Sequence, residues 1–561
     1  MTPVRENCDP ATLDTLLDSL LQQQQAPTIV EPFASAPKSP TESGHRYRAL
    51  IPTRRPRQSE QYAFEVDLDL CSGCGACVAA CHQANGLLPD ELWRKTGTLI
   101  GGTDSQPTVL QSVTTACHHC LEPACLHGCP AAAYEKDPRT GIVRHRDDCC
   151  IGCQYCTLTC PYDVPVYSHT LGIVRKCDMC HDRLTAGTAP ACAEACPHDA
   201  IRIRLVGHDQ VRDECESGFM LPGAPDPRNT LPTTLFRSSR PWPNNTLPSD
   251  YFSLRTQQGH WSLAVMLVLT QMSVGAFVVE SVRHLSWFRA GGDTAAEVQP
   301  LHLAVALFLG LLGLISAVFH LGRPLRAWRA WLGWRTSWLS REIIAFTMFG
   351  GLASAYASIA WMPMLRESLG SRGVDILHSA ATLTGLGAVW TSVMIYVATR
   401  RPLWTLRRTG IDFASTTVVL GLSVWLLIST AGMVVGNANA NHRSLAGLLF
   451  AVVAMRLAWE ACLLRHLRDR TFTPRRRAAL LLVGPLSMQL LQRFFLAGVG
   501  GIVLPLVLLA EPTTADGHYE PYFTVIVALL GFSSLTVSEL LSRHLFFVTS
   551  VAPRMPGVSH R

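Results

Sequence analysis

Sixteen cysteines fall between residues 71 and 196 in four groups of four. Cys71, Cys74, Cys77 and Cys81 are spaced C-x2-C-x2-C-x3-C, and Cys117, Cys120, Cys125 and Cys129 are spaced C-x2-C-x4-C-x3-C. Cys150, Cys153, Cys156 and Cys160 repeat the first spacing, while Cys177, Cys180, Cys192 and Cys196 stretch it to C-x2-C-x11-C-x3-C. Pro130, Pro161 and Pro197 each follow the last cysteine of a group. This is the bacterial ferredoxin run repeated along one polypeptide. Three thiolates from one tight turn can cap three corners of an iron–sulfur cubane, while the fourth points away and closes a neighbouring cluster. The expected chemistry is one-electron transfer by four [4Fe–4S] clusters, interlocked in two pairs and forming a wire. Zinc also takes thiolate ligands, but zinc sites rarely use a C-x2-C-x2-C-x3-C-P run, and not four within 126 residues.

The other thiols carry less information. Cys149 adjoins Cys150, but only Cys150 keeps the repeat spacing, so Cys149 reads as a spectator. Cys8, Cys215 and Cys462 are lone thiols with structural or incidental roles. His118 and His119 lie inside the second group and could replace a ligand, although the full cysteine set makes that unnecessary.

The elements that must position these groups divide the chain into unlike halves. Nineteen of 20 cysteines lie in the first 215 residues, whereas only 13 of 42 acidic residues lie in 258–561. With 48% hydrophobic and 16% charged residues, 561 residues do not describe one soluble globule or a disordered chain. Residues 1–62 are expected to be an N-terminal amphipathic and linker segment, 63–215 the cluster domain, and 216–257 a proline-rich arm without a core of its own. Residues 258–550 are expected to form a membrane domain and 551–561 a tail. The fold class is an α+β polyferredoxin-like domain followed by an all-α bundle of eight transmembrane helices. Near the start, Leu13, Leu16, Leu17, Leu20 and Leu21 mark a short amphipathic helix that docks on its own protein or a partner. It lacks the form of a secretory signal, and Arg54-Arg55 is a poor twin-arginine signal.

Apolar runs long enough to cross a bilayer occur at about 261–283, 301–320, 342–362, 376–398, 413–436, 444–464, 490–511 and 522–542. The seventh is the least distinct, because 479–489 is also apolar and Pro485 and Arg493 complicate its edges. Orientation follows from arginine, since no lysine occurs after Lys176. The loops after the second, fourth and sixth spans hold 15 arginines against five in the alternate loops. This predicts cytoplasmic termini and a cytoplasmic cluster domain.

The loop between spans two and three, HLGRPLRAWRAWLGWRTSWLSREII, starts at His320 and contains Glu342 near its end. Trp328, Trp331, Trp334 and Trp338 read as an interfacial aromatic belt. A quinol releases two protons with its two electrons, so its site needs a proton acceptor at each hydroxyl. A histidine and a carboxylate at the membrane edge beside a cluster would serve. The structural alternative has His320 capping its helix and Glu342 pairing with Arg341 or Arg323. Glu280, His302, His378, Arg456, Glu460 and Glu539 are further polar candidates, each expected to be structural or interfacial.

Across nearly its whole length the chain resembles a known family. Residues 63–235 resemble the four-cluster electron-transfer subunit of dimethyl sulfoxide reductase-type molybdopterin enzymes. Residues 258–550 resemble that complex's eight-helix membrane anchor, with HLGRP and SWLSREII as the recognisable stretch. Here the two are fused. The resemblance implies oxidation of menaquinol or ubiquinol in the anchor, at a site including His320 and Glu342. Electrons would pass to a separate catalytic subunit bearing molybdopterin, none of which is expected in this chain. It further implies four ligand sets: Cys71, Cys74 and Cys77 with Cys196; Cys177, Cys180 and Cys192 with Cys81; Cys117, Cys120 and Cys125 with Cys160; and Cys150, Cys153 and Cys156 with Cys129. The location implied is the bacterial cytoplasmic membrane, although some relatives work on the exported side.

Two other readings remain at this point. A quinone-reducing module would run electrons the other way, from a dehydrogenase, and a redox-driven ion pump would need charged groups lining a midplane path. No haem is expected, because His302, His320 and His378 are few and scattered. The formal charge of +6 becomes about −2 once four oxidised clusters at about −2 each are included. The arginine excess therefore marks one side of a membrane and predicts no nucleic-acid partner.

Overall fold

The computed structural model describes residues 50–103, 106–284, 294–434, 442–510 and 520–555. Cys8 and the leucine stripe at 13–21 lie outside the described residues. In the first half the strands are β1 (Glu60–Asp67), β2 (Lys95–Thr103), β3 (Gln106–Thr115), β4 (Tyr134–Lys136), β5 (Val143–His145), β6 (Val166–Ser168), β7 (Ile173–Arg175), β8 (Ile201–Gly207), β9 (Leu235–Arg237) and β10 (Leu247–Pro248). Between them lie six short helices: α1 (Ala76–Ala84), α2 (Ala124–Gly128), α3 (Tyr155–Thr159), α4 (His181–Thr185), α5 (Ala191–Glu194) and α6 (His208–Glu216).

Strand β1 is central in a sheet of order β8-β1-β9, antiparallel to β8 and parallel to β9. Its side chains alternate as a two-sided strand requires. Tyr62, Phe64 and Val66 enter the main core of this half, while Ala63 packs with Val206, Val211 and Cys215 under α6. Hairpin β2–β3 carries β10 on its other edge, and β4–β5 and β6–β7 form two small hairpins. Strands β9 and β10 come from the proline-rich arm, which therefore lies along the sheets. Leu121 N–H donates to Leu231 O at 2.8 Å, fixing it further.

The second half is helical: α7 (Trp261–His284), α8 (Thr294–Val318), α9 (Trp338–Trp361), α10 (Pro363–Val397), α11 (Leu406–Val434), α12 (His442–Ala461), α13 (Pro474–Val483), α14 (Ser487–Gly498), α15 (Leu504–Ala510) and α16 (Pro521–Val548). Among the described residues eight helical stretches are long and apolar enough to span a membrane, in agreement with the eight expected. Their ends differ from the apolar runs because helix continues beyond the apolar part. The fourth span starts at Met364, ahead of Arg366, Glu367 and Arg372. The apolar 479–489 stretch is divided between the separate short helix α13, which stops at Gly484, and the seventh span, which begins at Ser487. Its two helices, α14 and α15, are joined by a π-turn at Val499–Val503. Spans one and five are the most enclosed. They cross where Gly275 and Gly421 touch, a methyl on Gly421 lying 2.8 Å from Gly275 Cα, the small-residue packing expected where helices associate within lipid.

The halves meet through the 320–337 loop. Arg323 N–H donates to Ile151 O at 3.1 Å, Gly333 N–H to Pro130 O at 2.8 Å, and Ser337 Oγ–H to Gly128 O at 2.7 Å. Gly152 has a φ of 72°, which turns the third cysteine loop toward this junction and suits glycine. Gly322 must also be glycine, because an added methyl would lie 2.6 Å from the Gly172 carbonyl carbon and 2.7 Å from the Tyr167 hydroxyl. Arg400 Nη1–H to Asn229 Oδ1 (2.6 Å) and Tyr251 O–H to Phe472 O (3.1 Å) place the loops after the fourth and sixth spans on the same side. All three arginine-rich loops thus face the cysteine-bearing half. Gly322→Ala is expected to loosen this junction by about 1–3 kcal/mol, lowering the thermal transition of the detergent-solubilised protein. Unchanged stability would show that the backbones can separate at no cost.

Candidate functional site

The structure brings together cysteines from different sequence groups, and neighbours also run between the expected sets, Cys81 with Cys77 and Cys177 with Cys117. Cys71 is within electrostatic reach of Cys74, Cys77 and Cys196. Cys81 neighbours Cys180 and Cys192, and Cys177 neighbours Cys81 and Cys192. Cys125 neighbours Cys117, Cys120 and Cys160, and Cys156 neighbours Cys129, Cys150 and Cys153. Short helices carry these residues. Left-handed backbone at Gln154 (φ 58°) and Cys180 (φ 49°) immediately precedes α3 and α4, and the turn folds each C-x2-C segment back on itself. All sixteen are free thiols, and most are buried.

Two buried cations test what these sets can hold. Arg94 lies among Cys77, Cys81, Cys177 and Cys192, its guanidinium 4.8 Å from the Phe64 ring centre. Lys176 Nζ donates to Cys177 O at 2.8 Å and to Val143 O, and sits 3.6 Å from Cys117 Sγ. Among the described residues neither has a carboxylate partner. A buried charge is costly unless an opposite charge faces it; the cysteines face Arg94, and Cys117, Cys125 and Cys177 act on Lys176 ahead of Asp178. Soft anionic sulfur in sets of four, with cations between the sets, fits iron–sulfur clusters. Among the described residues no three His, Cys, Asp or Glu side chains are placed to hold a single metal ion.

Of the other residues singled out in this half, His119 and Cys149 have hydrogen-bond partners, whereas among the described residues both His118 ring nitrogens are buried without one. His119 Nδ1 accepts from Val143 N–H at 3.1 Å, and His118 packs edge-on to Tyr162. Cys149 Sγ accepts from Arg146 Nη2–H at 3.0 Å and lies 3.3 Å from Asp148 Oδ2.

Beneath the third cysteine loop a cavity of about 330 Å³ opens between the halves. Cys153 and Tyr155 form its roof, His320 and Glu342 line it, and Leu263, Met266 and Phe346 supply apolar walls. Trp328 and Trp331 also line it and are themselves exposed. The structure thus brings His320 and Glu342 to one cavity and against a cysteine loop. The structural alternative for Glu342 is not what the fold adopts. Its Oε1 accepts from Ser392 Oγ–H at 2.5 Å, while Arg341 donates to the Trp334 and Arg335 carbonyls and Arg323 to Asp147 O. His320 lies just past the second span, with Nδ1 3.4 Å from Ser262 Oγ and His260 at 5.0 Å ring to ring. Burial, reinforced by His260, pushes His320 down to about 4, against a hydrogen bond with the Cys153 backbone that raises it. Its imidazole is therefore neutral at neutral pH.

Comparison with known proteins bears on both halves. Residues 255–546, more than half of the sequence, match the family model of the DMSO reductase anchor subunit (DmsC). The chain is thus a member of that anchor family. Residues 108–205 match a 4Fe-4S dicluster domain. The B component of the anaerobic dimethyl sulfoxide reductase of Escherichia coli K12 is 36% identical over 175 residues, which cover 30% of this chain and 83% of that protein. Its counterpart in Haemophilus influenzae is 35% identical over 150 residues, covering 25% and 73%. The hydrogenase-2 operon protein HybA of Escherichia coli O157:H7 is 36% identical over 174 residues, covering 26% and 52%. This member of the anchor family is therefore a fused iron–sulfur and anchor subunit of the DMSO reductase type. It is a multi-pass, membrane-anchored electron-transfer component of an oxidoreductase complex with a catalytic partner subunit.

The anchor's other ionisable groups form two networks. Glu280 Oε1 accepts from Gln299 Nε2–H at 2.5 Å and Tyr356 O–H at 3.1 Å, and His378 stacks on Tyr356. His302 Nε2 lies 3.1 Å from Ala276 O and its ring meets Trp425 edge-on. The larger network ties five spans together. Arg456 meets Glu539 at 2.7 Å and Glu460 at 3.2 Å, and Arg493 meets both glutamates at 3.0 Å. Arg543 donates to Thr416 Oγ1 at 2.7 Å and Gln271 Oε1 at 3.0 Å. Sequence reasoning missed Arg543 and Asp412, whose carbonyl accepts from Arg456 Nη1–H at 3.0 Å, and near the cavity it missed Tyr155, His260 and Ser392. Tyr155 was hidden inside a cysteine run, and His260 stands one residue before the first span. Glu539→Ala should cost about 3–5 kcal/mol by leaving Arg456 and Arg493 under-paired, read as a lowered unfolding temperature in detergent. A neutral effect would mean the network carries no structural load.

Proposed function

We propose that the protein oxidises a quinol, menaquinol or ubiquinol, in the cavity under the third cysteine loop. It would deliver the electrons by way of four [4Fe–4S] clusters to a separate molybdopterin-bearing catalytic subunit. The cluster half would face the cytoplasm of a bacterial inner membrane. The observation that carries this reading is the convergence of His320, Glu342 and the Cys153 loop on one cavity. The four sets described above are the proposed ligand sets, each with three cysteines from one group and the fourth from another. When bound, such clusters supply one-electron carriers.

The protein's own residues do the rest. The apolar walls of Leu263, Met266 and Phe346 hold a quinol ring and keep bulk water away from it. The neutral His320 imidazole takes a proton from one hydroxyl, and the Glu342 carboxylate takes one from the other, with Ser392 Oγ–H holding the carboxylate in place. Tyr155 O–H donates to Ile395 O at 2.9 Å and so keeps the cysteine loop seated on the fourth span. At the far end Cys74 is exposed and Cys71 partly so, which supports that set as the exit toward a partner. The arginine-rich loops on the same side as the cysteines support the cytoplasmic orientation, and the reductase names of two of the relatives support the direction from quinol.

Replacing His320 by Leu is expected to slow quinol oxidation about 100-fold while iron content and EPR signals stay intact; wild-type turnover would remove His320 from the site. Cys192→Ser should disturb one centre and leave three. Low-temperature EPR and iron analysis still giving four intact [4Fe–4S] centres would refute the ligand sets.

A further inference from the structure

A second cavity lies on the same side of the bundle, lined by residues of the membrane half alone. It holds about 250 Å³ between the loop after the fourth span and the loop after the sixth. Arg407, Arg408, Arg465 and Arg475 surround it, with His466 beside them. Four guanidiniums around one space of this size repel one another unless an anion joins them. Internal partners supply only one carboxylate to the four. Arg408 has Asp412 at 3.9 Å. Arg407 faces Trp459, with its guanidinium carbon 5.9 Å from the ring centre, and has no carboxylate within 4.0 Å among the described residues. Among the described residues Arg465 and Arg475 have no carboxylate within 4.0 Å. His466 is turned to Asp469 at 3.0 Å.

The position says which anion. The cavity sits where spans five and six leave the apolar layer, on the arginine-rich side, with Trp459 and Leu463 in its wall. It shares Leu403, Arg408 and Leu463 with a smaller cavity of about 70 Å³, walled by Leu482, Leu490, Phe494 and Phe546 and also lined by Asp412, Glu460 and Arg543. A basic mouth at the membrane edge, continuous with the apolar wall of Leu482, Leu490, Phe494 and Phe546, matches a molecule with a phosphate at one end and hydrocarbon at the other. Basic pockets between transmembrane helices on the cytoplasmic side are suited to anionic headgroups, and arginine forks match phosphate oxygens in pairs.

We propose that this cavity binds the phosphate of an anionic phospholipid, seating one lipid between the fourth-to-fifth and sixth-to-seventh connections. The proposal depends on the bundle standing in a bilayer and not on the quinol reading, so either can fail alone. Free phosphate shares the headgroup's chemistry but would not use the apolar wall.

The test uses the full-length protein purified in detergent and freed of native lipid. Binding of phosphatidylglycerol, phosphatidylcholine and inorganic phosphate is measured by native mass spectrometry and by thermal stabilisation. The double variant R465Q/R475Q removes two surface charges that hold nothing else, and R329Q/R335Q removes two charges on the same side outside the cavity. Phosphatidylglycerol should bind the wild type and the R329Q/R335Q variant alike and R465Q/R475Q about 30-fold more weakly. Phosphatidylcholine and phosphate should bind poorly. Equal binding to all three proteins would overturn the site. Phosphate binding as well as phosphatidylglycerol would overturn the lipid as its occupant. Iron content, equal in all three proteins, verifies that the variants are folded.

Discussion

The structure depends on a backbone contact, that of the 320–337 loop against the third cysteine loop. Electron transfer weakens steeply with distance, so the proposed quinol cavity in the membrane half would be useful only if a proposed cluster is held directly over it. The protein achieves this by removing side chains. Gly322 abuts Gly172 and Gly152 closely enough that no methyl fits. Backbone bonds from Arg323 and Gly333 then fix the register. Because both partners are main chain, the contact has no rotamers to vary, and the cavity lined by Cys153, His320 and Glu342 inherits that rigidity.

Burying many thiolates imposes the second constraint. Arg94 and Lys176 lie between cysteine sets and lack carboxylate partners among the described residues. Such cations are costly in an apolar interior, yet each faces several sulfurs. The same logic governs the anchor with the signs arranged differently. Arg456 and Arg493 are matched internally by Glu460 and Glu539, so the spans are tied together without an outside ion. Where the matching stops, at Arg465 and Arg475, the charges stand at the surface around an open cavity. Matched and unmatched arginines on one bundle thus mark different roles.

Much of this was legible in the sequence, for identifiable reasons. Cysteine spacing is a local code, and an uninterrupted apolar run is a local code for a span, so both could be read without knowing what lies beside them. HLGRP could be recognised as a stretch, although the reason for its glycine, the approach of Gly172, requires the fold. His320 and Glu342 were legible because both are polar residues at the ends of apolar runs. Tyr155 and His260 were not, since nothing local separates a tyrosine in a C-x2-C turn from a packing residue. Arg94 and Lys176 were equally opaque, because ordinary surface cations have the same local appearance. Residues 216–257 could be read as extended, but their pairing as β9 and β10 is a long-range property.

Fusion alters the energetics of the junction. The Escherichia coli reductase relative corresponds to only about a third of this polypeptide, so here the iron–sulfur half is joined covalently to its anchor. An intramolecular partner at an effective concentration in the millimolar range, typical of short tethers, needs less interfacial affinity than a separate subunit would. The arm adds to this by pairing with both sheets before entering the first span, and the polypeptide returns after the last span. Met555 is buried in the core of the cysteine half, and Arg554 pairs with Asp250 of the arm. Each end of the membrane bundle is therefore anchored in the other half. The glycine contact can then be specialised for closeness, because the covalent path and these two ties already hold the halves together.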